Sequence, residues 1–299
     1  MNDTSSTNLN TPMVQFFEFR RQPFPQIVDS GDVYLLPHVK QVAERCEFAF
    51  QTGQFYAVIG AVGCGKSSAL RYACARLEKR HAKVLNITGG IWSFTELMRQ
   101  ILASLDYDFR QYQPATMVRL AQEKLLALQA DGRRCILMID EAHLLRNDVF
   151  AQIHILAQHP SSSSPLFSLM LCGQEELAER LEHPNARPLL SRIADGYFVP
   201  PIERDDFEGY IEHHLRLAGA KTRIFDDLGL DTLWQTSSAN LRSIGNNALA
   251  TLQWAANNDM RTVTAECVRR SQRRLWGQRA QDAKEEPVLS MPDYSAARR

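Results

Sequence analysis

The chain has 299 residues, of which 44% are hydrophobic and 23% charged, a composition that suits a globular protein of one large domain or two modest ones. Its 34 basic and 34 acidic residues balance, so net charge neither requires nor excludes a nucleic-acid partner. The sequence shows no apolar run long enough for a membrane span, no secretory signal and no C-x-x-C pair, which predicts a cytoplasmic protein with reduced thiols and argues against a metal site built from cysteines. Residues 1–13 are polar, and we expect them to form a flexible arm.

An aromatic and basic segment follows the arm, Phe16-Phe17-Glu18-Phe19-Arg20-Arg21-Gln22-Pro23-Phe24. Aromatic side chains bury large apolar areas, so we expect this segment to pack on the domain that follows. An edge of an adenine pocket or a contact with a neighbouring subunit is the alternative interpretation. Apolar residues at helical spacing then predict a helix over residues 33–50.

The first strong motif is a glycine-rich run between an apolar strand-like segment at 55–59 and a helical stretch at 68–75. It has the G-x-x-x-x-G-K-[ST] spacing of a phosphate-binding P-loop. Its glycines allow successive backbone N–H groups to face phosphate oxygens, and the helix N-terminus adds positive potential. Lys66 is predicted to reach the β- and γ-phosphates, and Ser67 to ligate Mg²⁺. The predicted ATP-binding residues are Gly60, Gly63, Cys64, Gly65, Lys66, Ser67 and Ser68.

The second strong motif follows a strand predicted at 82–88 and helices predicted at 93–105 and 117–130. It is an all-apolar strand that ends in Asp140-Glu141-Ala142-His143. Such a strand fits a parallel sheet covered on both faces, whose carboxyl edge is where open α/β sheets bind ligands. We therefore expect Asp140 to hold Mg²⁺ and Glu141 to polarise the attacking water, as in a Walker B element.

This acidic motif has two other interpretations. An acidic pair can cap a helix N-terminus, since Asp and Glu favour that position. Asp-Glu-Ala-His also occurs in some helicases, but the chain is too short for two complete helicase motor domains. We expect His143 to begin a helix rather than to act in catalysis.

The remaining pattern predicts both the fold class and the domain organisation. A fourth strand at 166–172, short helices at 175–182 and 187–193 and a fifth strand at 196–199 give strands alternating with helices. This alternation indicates an α/β fold with a parallel five-stranded P-loop sheet and flanking helices. Beyond Pro200-Pro201, helices predicted at 205–218, 226–235, 240–257 and 263–276 indicate a small all-helical lid domain. The predicted organisation is an arm at 1–13, an ATPase domain at 14–200, a lid at 201–276 and a polar tail at 277–299.

The order of these motifs resembles the AAA+ ATPases. Within them it is similar to the ExeA-like group, which includes the ATPase of type II secretion and the transposon helper ATPases of the TnsC, TniB and MuB type. The resemblance covers residues 14–260. It rests on the two Walker motifs, on the leading Phe-Phe segment, and on Leu171-Cys172-Gly173-Gln174-Glu175-Glu176-Leu177, Leu190-Ser191-Arg192-Ile193 and Asn240-Leu241-Arg242-Ser243-Ile244-Gly245-Asn246.

The resemblance implies roles for further residues. Gln174 would be sensor 1, and Arg192 would be an arginine finger that reaches a neighbour's ATP site, with Arg187 as the competitor. Arg242 would be sensor 2, although this chain lacks the glycine and proline of the usual Gly-x-Pro-Arg run. Asn86, at the end of the second strand, would couple Glu141 to a ligand.

The resemblance also implies a function, an ATP-dependent DNA-binding regulator of transposition. Such a protein forms a homo-oligomeric ring or filament on double-stranded DNA with ATP and Mg²⁺, recruits a transposase, and disassembles on hydrolysis. We expect phosphate contacts from residues 88–93 and from the basic stretch 269–274, unless the latter is only a solvated helix face. No membrane partner is expected.

Two other functions remain open at this point. The first is a secretion-assembly ATPase that remodels proteins without binding DNA, whose relatives usually carry a membrane helix and a peptidoglycan-binding region that this sequence lacks. The second is a small P-loop kinase, against which the Asp140-Glu141 pair and the helical domain argue.

Overall fold

The computed structural model describes residues 11–107, 113–158 and 164–276. The predicted tail and nearly all of the predicted arm lie outside this part of the chain. The described residues form two compact units. We call residues 25–210 with 239–242 the α/β unit, and residues 11–24, 211–238 and 243–276 the helical unit.

A five-stranded parallel sheet forms the centre of the α/β unit and confirms the predicted fold class. Its order is β2-β3-β4-β1-β5, so the two motif-bearing strands, β1 and β3, flank β4. Nearly all residues of β1, β3 and β4 are buried, as the absence of polar alternation predicted. The strands are β1 (Phe55–Ile59), β2 (Lys83–Thr88), β3 (Cys135–Asp140), β4 (Ser168–Gly173) and β5 (Ile193–Phe198).

Helices precede, separate and follow these strands along the chain. Twelve of them are assigned among the described residues, and two 3₁₀ turns, Ala142–Leu144 and Pro184–Ala186, connect elements near the sheet. The helices are α1 (Pro12–Phe16), α2 (Pro37–Thr52), α3 (Lys66–Glu78), α4 (Phe94–Ser104), α5 (Pro114–Ala130), α6 (Asn147–Leu156), α7 (Glu176–Glu182), α8 (Arg187–Leu190), α9 (Arg204–Ala218), α10 (Asp227–Thr236), α11 (Leu241–Asn257) and α12 (Ala265–Trp276).

Proline and glycine set several of the helix boundaries. The helix predicted from residue 33 begins at Pro37 instead, because proline favours the first helical position and holds the preceding residue extended. Gly53, with φ 72°, ends the same helix. The helix predicted over 187–193 stops at Leu190, because the chain enters β5 at Ile193. Sequence analysis did not predict α6.

A large apolar cluster packs on the sheet and includes the side chains of α4, α5 and α6. Phe150 of α6 is 1% exposed, and Leu97 and Ile101 of α4 are fully buried. Because these helices bury their apolar faces against one side of the sheet, they fix the carboxyl ends of β2 and β3.

The helical unit contains no strand among its described residues, only an isolated bridge between Phe225 and Val263. Phe17 and Phe24 are buried as predicted. The expected partner, however, was wrong, because the aromatic segment packs with the helical unit rather than with the ATPase domain that follows it. Arg20 N donates to Ala218 O at 2.7 Å, and the Arg261 guanidinium lies over the Phe16 ring at 4.6 Å.

Candidate nucleotide site

The P-loop lies between β1 and α3. Gly63 and Gly65 adopt φ values of 79° and 99°, a left-handed region that glycine enters without a steric penalty. Lys66 is 6% exposed, and its Nζ donates to the carbonyl oxygens of Gly60 and Ala61, both at 2.7 Å. The loop therefore holds one ammonium group at the N-terminus of a 13-residue helix, beside the half-buried hydroxyl-bearing residues Ser67 and Ser68.

The P-loop leaves no room for a side chain where it meets residues 239–242 of the same unit. A Cβ on Gly63 would lie 2.5 Å from Asn240 Oδ1 and 2.7 Å from Arg242 Cβ. Asn240 Nδ2 donates to Val62 O at 2.6 Å, and Arg242 N donates to Gly63 O at 3.2 Å. This arrangement suits a phosphate group, because a turn of bare main chain at a helix N-terminus presents N–H groups to an anion. It also brings the backbone of Arg242, whose side chain is partly exposed, to the P-loop.

The predicted acidic pair stands at the carboxyl end of β3. Asp140 Oδ1 accepts a hydrogen bond from Glu141 N at 2.9 Å. Glu141 has φ 53° and ψ 33°, a left-handed conformation that a non-glycine residue adopts at a cost. Gly89, which follows β2, donates its N–H to Asp140 O at 2.6 Å. The turn that carries both acids is thus bonded to the end of the neighbouring strand.

The end of β4 joins the P-loop to the acidic turn. Gly60 N donates to Gly173 O at 3.2 Å, and Gln174 N donates to His143 Nδ1 at 3.4 Å. His143 Nδ1 in turn lies 3.6 Å from Glu141 Oε2. The structure therefore brings together the P-loop, the acidic pair and the main chain of the predicted sensor Gln174.

A buried thiol reports the charges around this edge of the sheet. Burial raises the pKa of Cys172 well above its usual value, and the Asp140 carboxylate raises it further, whereas Lys66 lowers it. Two oppositely charged predicted site groups thus act on one sulfur atom. Cys64 of the P-loop, 5% exposed, places its Sγ 3.9 Å from Lys66 Nζ.

All six cysteines are buried with free thiols. Within the described ranges, no group of three or more His, Cys, Asp or Glu residues is placed to hold a metal ion. The hydroxyl of Ser67 and the carboxylate of Asp140 are oxygen donors of the type that Mg²⁺ prefers.

The two candidate arginine fingers lie elsewhere in the α/β unit. With the Gln158 amide turned so that its oxygen faces the guanidinium, that oxygen accepts from Arg192 Nη2 at 2.6 Å and Nη1 at 3.1 Å. Arg187 is exposed at the start of α8. Neither arginine has a hydrogen bond or ion pair to the P-loop, Asp140 or Glu141 within the described structure.

Sequence reasoning missed several residues at this site. Gly89 and Gly173 admit close backbone approaches, and a glycine directly after each predicted strand was the available signal. The register places Thr88, rather than Asn86, level with Asp140, and Asn86 is exposed. His143 lies in a 3₁₀ turn, which is close to its expected place at a helix start, but its contacts were not predicted.

His38 was also missed. It is 3% exposed at the start of α2, and its Nε2 has no hydrogen-bond partner within the described residues. The same atom would lie 3.1 Å from a Cβ on Gly65. Burial lowers the pKa of His38 from 6.5 to about 4, so the ring is neutral at pH 7.

Comparison with known proteins agrees with this geometry. Residues 49–181 match the family model described as AAA domain. The structure is similar to that of Cdc6p from Pyrobaculum aerophilum, at 18% identity over 92% of this chain and 74% of that chain, with a TM-score of 0.67. The fold is the AAA+ P-loop fold. This fold supports nucleotide hydrolysis in general.

Two further proteins are similar to this chain. The Aeropyrum pernix ORC1 protein, solved in complex with DNA, is 17% identical over 81% of this chain and 66% of that chain, with a TM-score of 0.61. General secretion pathway protein A of Aeromonas hydrophila is 29% identical over 238 residues, which are 77% of this chain. The present chain spans only 42% of that relative's length. Among the described helices, none has the length and apolarity to cross a membrane.

Proposed function

We propose that this protein is a Mg²⁺-dependent ATPase whose subunits complete one another's active sites. One observation carries the ATPase part of the proposal: the hydrogen bonds from Gly60 to Gly173 and from Gln174 to His143 draw the P-loop, the acidic turn and the sensor strand to one edge of the sheet. That edge has the parts of a phosphoryl-transfer site, which works by positioning and charge stabilisation.

The roles of the residues follow from their positions. The main chain of the P-loop holds the phosphates, together with Lys66, whose ammonium exchanges its two carbonyl partners for phosphate oxygens. Ser67 and Asp140 hold Mg²⁺, which when bound offsets the negative charge of the phosphates. Glu141 orients and polarises the attacking water, and Gln174 positions that water near the γ-phosphate. The backbone N–H of Arg242 donates to Gly63 O of the P-loop, and the Arg242 side chain approaches the phosphates from there.

Arg192 supplies the remaining cation from a neighbouring subunit. Its place beside Gln158, with no bond to its own P-loop among the described residues, supports a role in trans. A permanent, forked cation at the γ-phosphate would make hydrolysis depend on assembly into a ring or filament.

A mixing experiment tests this arrangement. E141Q and R192A should each lose at least about 100-fold in kcat, because each removes one part of the transition-state site. A 1:1 mixture should regain activity, since an R192A subunit with an intact P-loop can receive Arg192 from an E141Q neighbour. R187A is the matched control and should keep its activity. If the mixture stays inactive, Arg192 does not act in trans; if R187A is the variant rescued by mixing, the finger is Arg187.

For the output of this cycle, we propose assembly on double-stranded DNA in the cytoplasm, recruitment of a transposase and release on hydrolysis. The end of β2 and the loop after it support a DNA contact, since Thr88, the last residue of β2, is exposed and 84% of Ile91 in the loop is exposed. Arg269 and Arg270 are exposed on α12, although Arg270 Nε is paired with Glu266 Oε1 at 2.6 Å. The DNA complex of the ORC1 relative supports the same class of ligand.

A second candidate has support from a different observation. The similarity to General secretion pathway protein A favours an ATPase that remodels envelope proteins and does not bind DNA. Both candidate functions use the same ATP site. They differ in the partner of the assembled protein, which is DNA in the first and an envelope protein in the second.

DNA binding separates the two candidates. The purified protein would be mixed with duplex DNA and a non-hydrolysable ATP analogue, ADP or no nucleotide, at two salt concentrations. Large assemblies that need the analogue and weaken at high salt would support the DNA-bound regulator, since phosphate contacts release counterions. If no nucleotide state binds DNA, that candidate fails and the remodelling ATPase stands.

A further inference from the structure

One nitrogen atom lies between two parts of the proposed ATPase site. His143 is 8% exposed in the turn that follows the acidic pair. Its Nδ1 accepts the backbone N–H of Gln174 at 3.4 Å and faces Glu141 Oε2 at 3.6 Å. His143 thus contacts both the group proposed to polarise water and the residue proposed to position it.

The hydrogen bond from Gln174 fixes the proton of the ring. An atom that accepts an N–H carries a lone pair, so in the neutral ring the proton resides on Nε2. Nδ1 in this tautomer has no proton to offer to the Glu141 carboxylate. The contact with Gln174 therefore leaves Glu141 free to accept a hydrogen bond from another donor, such as a water molecule.

The backbone around this contact is tightly constrained. A Cβ on Gly173 would lie 3.2 Å from His143 N and 3.1 Å from Leu177 Cβ. The turn and the end of β4 can approach this closely because Gly173 has no side chain. Gly89 constrains the opposite side, since a Cβ there would lie 2.8 Å from Glu141 O. A displacement of the Gln174 main chain would consequently pass through His143 to Glu141 rather than be absorbed by a loose loop.

We propose that His143 is a positioning residue that couples the end of the sensor strand to Glu141. Through Nδ1 it holds the Gln174 main chain and the acidic turn in one arrangement, in which the Glu141 carboxylate is available to water. Loss of this acceptor uncouples the two elements and leaves the P-loop intact. This inference rests on the proposed ATPase function.

The test uses variants that differ in the acceptor. An asparagine in place of His143 would offer its Oδ1 close to the position of Nδ1, whereas leucine has no acceptor, so H143N and H143L form a matched pair. The measurements are kcat and the affinity for a fluorescent ATP analogue. For H143L we expect roughly a tenfold loss of kcat, which corresponds to one hydrogen bond of ordinary strength, with affinity within about twofold of wild type. H143N should stay within about threefold of wild type in both.

Three outcomes overturn the inference alone, provided that wild type hydrolyses ATP and E141Q does not. The first is an H143L variant with wild-type kcat. The second is an H143N variant as impaired as H143L, with both losing thermal stability and nucleotide affinity in parallel, which would indicate packing only. The third comes from ¹⁵N NMR of the wild-type imidazole, if the proton is on Nδ1 rather than Nε2. A wild type that hydrolyses no ATP would instead overturn the proposed function, and the imidazole spectrum would still report whether the His143 contact exists.

Discussion

Two regions of the molecule hold their buried polar groups in opposite ways. At the carboxyl edge of the sheet, hydrogen bonds between main-chain atoms join neighbouring segments, through the backbones of Gly60, Gly89 and Gly173. In the helical unit two buried hydroxyl oxygens, of Thr251 and Ser271, lie 3.0 Å apart, and each also donates to a main-chain carbonyl oxygen, of Asn247 at 2.7 Å and of Val268 at 2.8 Å. Apolar side chains surround each region, so burial alone does not distinguish them.

The difference reflects what each region must accommodate. At that edge the glycines let main chain approach main chain with no side chain in the way, so the adjoining P-loop can present its N–H groups to a ligand rich in anionic oxygens. Side-chain hydroxyl pairs satisfy each other and leave little over for a ligand. We therefore expect a side chain added at the carboxyl edge of the sheet to impair ATP hydrolysis. We expect a hydroxyl removed from the helical unit to lower its stability only slightly.

The largest effect is expected at Gly89. Valine there would place its Cβ 2.8 Å from Glu141 O and 3.0 Å from Asp140 O, so the acidic turn must move. We expect kcat for ATP to fall roughly 100-fold, the loss that a misplaced catalytic group gives, while nucleotide affinity stays within about threefold. The control is Gly31→Val, where a Cβ would meet nothing within 4 Å. If Gly89→Val and Gly31→Val hydrolyse ATP at the same rate, the close approach at Gly89 does not position Glu141.

A pH titration of stability tests His38, a buried side chain near the P-loop whose Nε2 has no hydrogen-bond partner within the described residues. Burial lowers the pKa of His38 to about 4, below its ordinary value of 6.5. Because the pKa of His38 is lowered in the folded state, the stability that depends on a neutral, buried ring is fully present above pH 6.5. It is lost as the pH falls towards 4. The free energy of unfolding of wild type should drop by about 2 kcal/mol more than that of His38→Phe between pH 7 and pH 4.5.

The exposed His81 provides the control for that titration. The His81→Asn variant should be about as stable as wild type at pH 7, because asparagine tolerates the φ of 60° at this position. Denaturant unfolding at a series of pH values gives all three curves. Parallel curves for wild type and His38→Phe would contradict the prediction.

A smaller effect is expected at Gly63, where the close approach is to side chains of residues 239–242. Alanine there would carry a positive φ and a Cβ 2.5 Å from Asn240 Oδ1. Gly132→Ala shares the positive φ, 74°, but meets nothing within 4 Å, so it isolates the cost of strain. Gly132→Ala should lose about 1 kcal/mol of stability, Gly63→Ala should lose more because of its additional overlap, and only Gly63→Ala should lose roughly tenfold in nucleotide affinity, measured with a fluorescent analogue. Equal nucleotide affinities in the two variants would mean that the close approach to Asn240 has no effect on affinity beyond that of backbone strain.

The smallest effect belongs to the helical unit. Thr251→Val and Ser271→Ala each remove one hydroxyl from the buried pair, and each should cost about 1 kcal/mol because the remaining hydroxyl loses a partner. The double variant should cost less than the sum, since the contact between the two hydroxyls can be lost only once. Chemical denaturation of the four proteins gives this cycle. ATP hydrolysis should be unchanged in all four proteins. A lower rate in any variant would mean that the helical unit and the carboxyl edge of the sheet do not act independently.

The elements that sequence predicted best are those whose pattern is local. Phe55–Ile59 was predicted to the residue, because an apolar strand bounded by Gly53 and Gly60 has clear signals at both ends. The five-stranded sheet and the helical region followed from the alternation of such segments. The order of the strands was not predicted, because it depends on long-range contacts that no local pattern encodes.

The site was predictable where a motif fixes several residues at once. The P-loop and the acidic pair were located from spacing, and the structure brings them to the same edge of the sheet. Gly89, Gly173 and His143 were missed because their importance comes from a neighbour distant in sequence, such as the contact between His143 and Gln174. α6 was missed although Val149, Phe150 and Ile153 have helical spacing.

The aromatic segment has a consequence for how the protein is made. Residues 11–24 leave the ribosome before the rest of the described chain, yet their partners in the helical unit begin at residue 211. At a synthesis rate of about 5–20 residues per second, roughly 190 intervening residues take about 10–40 s to appear. The sheet can fold within that interval, whereas the rings of Phe17 and Phe24 remain exposed to solvent. These early residues are therefore among the last to fold, and they are the part of the nascent chain that a chaperone would most readily recognise.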